Sequence, residues 1–176
     1  GNLVIEAPLK DEDVTNYRRS LDLSKAVCLT EFTRKGVNYR RRVIASNPDE
    51  AILINISSDR KNSVDLKIYI NDCRDDYYDF NAPVDNNTIL YTGGMGGTDG
   101  IDFSSAVTVS AEGGRCERYG SFLICRSCDS VTIAVTCRTS YRHENHGELA
   151  VEDGKKALSY DFEDLTERHI ADYKSY

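Results

Sequence analysis

Hydrophobic residues in this chain recur with a period of two, and no other feature restricts the fold as much. Val64, Leu66, Ile68 and Ile70 alternate with Asp65, Lys67, Tyr69 and Asn71, the pattern of a β-strand with one face on a core and one in water. Ala26, Cys28, Thr30 and Phe32 alternate in the same way with Val27, Leu29, Glu31 and Thr33. A return strand follows over 37–46, with Val37, Tyr39, Arg41, Val43 and Ala45 on one face and Arg40, Arg42 and Ile44 on the other. Further strands are read at 51–57, 88–92, 101–109, 121–126 and 131–140. The intervening Arg34-Lys35-Gly36, Asn47-Pro48-Asp49-Glu50 and Gly113-Gly114 reverse the chain, because glycine accepts positive φ and proline cannot donate to a ladder. Short strands at this spacing predict an all-β antiparallel sandwich.

Chain size suits one such core. A chain of 176 residues buries roughly 70% of its unfolded surface. A net charge of −7 argues against nucleic acid or an anionic membrane as partner. The apolar run at 51 is only a few residues long, against the ~20 a membrane-crossing helix needs. No basic stretch followed by an apolar one opens the chain, so no signal peptide is expected. With six cysteines read as free thiols, that leans towards a cytoplasmic location.

Several clusters invite chemistry and are better read as structure. Cys125 and Cys128 form a CxxC, and His143 and His146 follow it, but no second pair stands at zinc spacing. Strand cysteines behaving as small apolar residues explain them more simply. The acidic stretch 72–87 holds Asp72, Asp75, Asp76, Asp79 and Asp85 with Tyr77 and Tyr78. It reads as a long surface loop and departs from the EF-hand spacing for calcium. Gly93-Gly94-Met95-Gly96-Gly97 precedes a strand rather than a helix, so it is a hairpin or bulge loop and not a phosphate cradle. A solvated strand face accounts for Arg40-Arg41-Arg42 without a phosphate ligand. Glycosidic chemistry needs two carboxyl groups about 5–10 Å apart across a cleft, and the spacing marks no such pair. No catalytic residue, no metal ligand and no cofactor is therefore assigned, and substrate-binding residues are left open.

The last thirty residues change character. Ala157, Tyr160, Phe162, Leu165, His169, Ile170 and Tyr173 recur at three- and four-residue steps, which predicts an amphipathic helix. Its apolar stripe needs a cover. Without one, residues 157–176 are expected to self-associate or to be highly mobile.

Read in order, certain segments resemble a known family. They are Asn16-Tyr17-Arg18-Arg19-Ser20-Leu21-Asp22-Leu23, the stretch from Gly36-Val37-Asn38-Tyr39 to Asn47-Pro48-Asp49, Gly100-Ile101-Asp102-Phe103, Thr139-Ser140-Tyr141 and Arg168-His169-Ile170-Ala171-Asp172-Tyr173. Together the series resembles the N-terminal β-domain of glycoside hydrolase family 95, the 1,2-α-L-fucosidase type. The resemblance implies a supersandwich-like β-domain over 1–150, with the family's leading strands absent, and a helical linker over 151–176. The first two segments are expected to be paired strands. The resemblance further implies a non-catalytic domain of an inverting α-L-fucosidase-like enzyme, supporting an (α/α)₆ barrel that acts on an oligosaccharide and shaping its substrate cleft. In that reading Arg168, His169, Asp172 and Tyr173 dock the barrel, and the chain alone is inactive. The alternative is an autonomous module binding carbohydrate or calcium through the acidic loop.

Overall fold

A computed structural model describes residues 2–8, 14–71, 80–94, 96–97 and 99–175, with the backbone alone described at 80–83. In chain order the strands are β1 (Asn2–Glu6), β2 (Val14–Asp22), β3 (Val27–Arg34), β4 (Val37–Ser46), β5 (Ala51–Ser58) and β6 (Val64–Asn71). There follow β7 (Phe80–Pro83), β8 (Thr88–Gly94), β9 (Asp102–Glu112), β10 (Arg115–Tyr119), β11 (Phe122–Cys128) and β12 (Ser130–Thr139). Helices α1 (His146–Ala157) and α2 (Phe162–Tyr173) close the chain.

The strands form two antiparallel sheets. A small one runs β1-β6-β11-β10 and a large one runs β2-β3-β4-β5-β12-β9-β8-β7. Ile68, Leu123, Ile89, Val107, Val131 and Ile133 are fully buried where the sheets face each other, with Cys125 and Cys128 among them. Alternation explains this core, since each strand offers every second side chain to it. The chain changes sheet at Gly113 and Gly114, both at positive φ. A Cβ on Gly114 would lie 2.2 Å from the Arg126 carbonyl oxygen, so only glycine fits that corner.

The large sheet is covered on its outer face as well. Ile44, Leu53 and Ala134 pack against Ala157, Phe162 and Leu165, and Ala106 packs against Ala150 and Val151. That second layer is why β5 reads as an almost continuous apolar run.

Three expectations are corrected. The segments over 16–23 and 36–49 are not paired with each other, because β3 lies between β2 and β4. Part of the expected 72–87 loop is strand β7, an edge strand ending at Pro83, where a missing N–H costs no ladder bond. Residues 72–79, with most of the acidic cluster, lie outside the described residues. Strand β10, which no alternation marks, pairs with β11 through a two-residue turn at Gly120-Ser121. The single C-terminal helix is two helices: α1 starts at His146, and Asp161 caps α2 by accepting from the Asp164 N–H at 2.9 Å.

Candidate functional site

The outer face of the large sheet is where the chain concentrates its long-range polar contacts. Helix α1 lies on it through small residues. A Cβ on Gly154 would meet Thr108 Oγ1 at 2.7 Å, and Thr136 Oγ1 donates to the Ala150 carbonyl at 2.6 Å. His146 opens the helix with Nδ1 2.8 Å from Ser104 Oγ. Arg138 reaches up from β12, its Nε 2.6 Å from Asp153 and its guanidinium also paired with Glu50. The hydrogen bonds to Asp153 and then Glu50 raise its already high pKa further, so this cation is permanent.

Helix α2 is held along its whole length. Arg42 from β4 pairs with Glu163 at 2.7 Å and lies 4.5 Å over the Phe162 ring. Arg168 pairs at 2.8 Å with Asp49, whose side chain is 2% exposed in the turn after β4. It also lies 4.5 Å over Tyr160. His169 is buried, with Nε2 3.1 and 3.2 Å from the carbonyl oxygens of Lys25 and Ala26. Both partners only accept, so Nε2 carries the proton. Asp172 accepts from Asn47, and the Tyr173 hydroxyl donates to the Leu23 carbonyl at 2.9 Å. Arg168, His169, Asp172 and Tyr173 thus all reach the sandwich of their own chain. The apolar stripe expected to drive self-association or mobility is covered: Phe162, Leu165 and His169 face the sheet.

Beyond the edge of the helices the same face turns polar. Register places Arg42, Asn55, Thr132 and Ser110 side by side across four strands, with Arg40, Ser57, Ser130 and Glu112 as the next row. Asn55 holds the first row together, accepting from Arg42 at 3.3 Å and donating to Thr132 Oγ1 at 3.0 Å. With Tyr160 and Glu163, and without Arg40, these rows line an open cleft of about 350 Å³. Alternation signals which residues share a face but not which rows align, so this cleft is invisible before the strands are paired.

The remaining candidates separate. Cys125 and Cys128 lie in the core between the sheets, whereas His146 sits on the far side of the large sheet, so they form no common zinc site. Among the described residues no three His, Cys, Asp or Glu side chains converge as metal ligands. Asp85, from the acidic stretch, pairs with Lys155 at 2.8 Å. The Arg40-Arg41-Arg42 run is divided between faces: Arg40 pairs with Glu31, Arg42 with Glu163, and Arg41 points to the opposite side. No helix of the described residues is long and apolar enough to cross a membrane.

Comparison with known proteins agrees with this architecture. A putative kojibiose phosphorylase from the human microbiome superposes with a TM-score of 0.69 over 98% of this chain at 15% identity. This chain spans 27% of that protein's length. Alpha-L-fucosidase 2 of Arabidopsis thaliana is 31% identical over 67 residues, 38% of this chain and 8% of that protein. Residues 1–144 match the family described as glycosyl hydrolase family 65, N-terminal domain. With most of its length inside that match and the same two-sheet fold, the chain belongs to the family of glycosyl hydrolase N-terminal domains.

Proposed function

We propose that this chain is the non-catalytic N-terminal domain of an inverting α-L-fucosidase-like hydrolase of the family-95 type. In this reading residues 1–150 form the sandwich and 151–176 belong to the helical linker. The linker carries the domain against an (α/α)₆ barrel whose substrate cleft the domain helps to shape. The fucosidase assignment is supported by the ordered segments from Asn16 to Tyr173 and by the local identity to an α-L-fucosidase. The observation that carries the supporting role is the seat of α2. Its charged groups bind the sandwich, yet Tyr173 and the neighbouring Leu23 stay 41% and 73% exposed beside each other. Apolar side chains exposed together at and beside a firmly held helix end are suited to an interdomain contact.

Four carboxylates are unsuited to the role of a general acid. A general acid must keep its proton near neutral pH. Glu6, Asp22, Asp59 and Asp85 are all held below the usual carboxylate range, chiefly by hydrogen bonds and also by a nearby lysine or, at Asp59, by Arg60. Assaying the 176-residue chain and its full-length parent on a 2′-fucosylated oligosaccharide tests the proposal. Turnover is expected from the parent only, and a parent carrying Leu23→Asp and Tyr173→Asp should lose stability or activity. Turnover by the chain alone overturns the reading.

The polar cleft favours a second reading, in which the module binds carbohydrate by itself. Arg42, Asn55 and Thr132 offer the amide, hydroxyl and guanidinium groups that sugar hydroxyls accept. Binding of the same oligosaccharide by the isolated chain, lost on Tyr160→Ala, would select it.

A further inference from the structure

The sequence singles out a CxxC, yet the strand pairing joins a different two cysteines. Cys116 on β10 is the direct cross-strand partner of Cys125 on β11. Their Sγ atoms are 2.8 Å apart, and both thiols are free. Directly opposed residues in an antiparallel pair have Cα atoms about 4.5–5.5 Å apart, inside the range of about 4.4–6.8 Å that a disulfide spans. Closing the bond therefore needs no movement of either strand.

Cys128 is in register with neither cysteine, its cross-strand partner being Val64 on β6. Three residues along a regular strand would put Cys125 and Cys128 on opposite faces. The register shifts between them, and Ser127 takes φ 53°, so Cys128 is turned back into the core. There its thiol faces the carbonyl oxygens of Arg126 and Arg115 at 3.5 and 3.8 Å.

We propose that Cys116 and Cys125 are a redox-active dithiol that closes to a disulfide by exchange with a low-molecular-weight disulfide such as oxidised glutathione. Cys116 is half-buried and reachable, whereas Cys125 is 1% exposed. This makes Cys116 the attacking sulfur. Its thiolate takes one sulfur of the small disulfide, breaking that S–S bond and releasing the first small thiolate, which collects a proton. Cys125 then gives up its proton to solvent, and its sulfur attacks Cys116 Sγ and displaces the second small thiolate. Two protein thiols are oxidised and one small disulfide is reduced to two thiols. Protonation supports this order. The Cys125 S–H donates to the Cys116 sulfur, which draws the Cys116 thiol below its ordinary value, while that bond and burial push Cys125 up.

The bond would join the two ends of the β10–β11 hairpin, in which β10 is the edge of the small sheet. It lies away from the helix-bearing face, so the proposal stands whatever becomes of the fucosidase reading.

The test is oxidation of the folded chain with oxidised glutathione, followed by alkylation under denaturing conditions and peptide mapping. A Cys116–Cys125 crosslinked peptide is expected, lighter by two hydrogens than the sum of its two reduced parts, with both thiols recovered on reduction. C128S should still form the link, and C116S should form none. A link from Cys128 to either partner overturns the proposal. So does complete alkylation of Cys116 and Cys125 after the exposed Cys28 and Cys137 have become glutathionylated.

Discussion

Gly154 sets how closely α1 approaches the sheet. Replacing it with alanine gains about 1 kcal/mol of helix propensity. The new Cβ, however, would stand 2.7 Å from Thr108 Oγ1 and 3.3 Å from Thr108 Cβ. Thr108 is buried and β-branched on a strand paired at both sides, so it cannot swing clear. Overpacking of this kind costs about 1–3 kcal/mol. Gly154→Ala should therefore lower the urea midpoint despite its better helix propensity. In a Thr108→Ala background the same substitution should cost less, and equal losses in both backgrounds would show that the contact is unimportant.

At the scale of elements, α2 depends on one buried apolar row. Leu165 is fully buried among Ile44, Leu53, Ala134 and Phe162. Leu165→Ala should cost about 2–5 kcal/mol, the usual range for a core leucine. Hydrogen exchange should then accelerate in α2 before it does in β4 or β5; uniform acceleration would mean that the helix has no independent stability. The same packing explains what the sequence disclosed. Strands β4 and β6 were legible because large apolar side chains alternate with polar ones on a half-wet surface. Helix α1 was not, since it buries Ala150, Gly154 and Ala157, whose small side chains draw no stripe. Strand β10 escaped for another reason: Arg115, Glu117 and Tyr119 point outward at an edge, and only Cys116 and Arg118 mark the other face. The polar cleft depends on register, which is a property of strand pairs and not of any single segment.

For the whole molecule, several carboxylates are held ionised by neighbouring donors and respond to acid in concert. The Tyr69 hydroxyl and Lys67 hold Glu6 low, Ser24 holds Asp22 low, and the Asn38 N–H and side chain hold Asp59 low. At Asp85 burial works the other way, but Lys155 and the Asn87 and Thr88 donors outweigh it. With folded pKa values depressed, the unfolded chain binds more protons between the depressed and ordinary values, so stability falls as pH drops through that window. Urea titrations should give a flat stability near neutrality and a decline below about pH 4.5, where carboxylates begin to protonate. A rise in stability on acidification would contradict these ion pairs. The corner between the helices has a different consequence. With α1 locked by its glycine seat and α2 pinned by Arg168 and His169, residues 158–161 form the narrow joint between two fixed rods. A pull on the end of the chain would have to strip the α2 contacts first, and peeling would then halt at that corner, where α1 keeps its own seat.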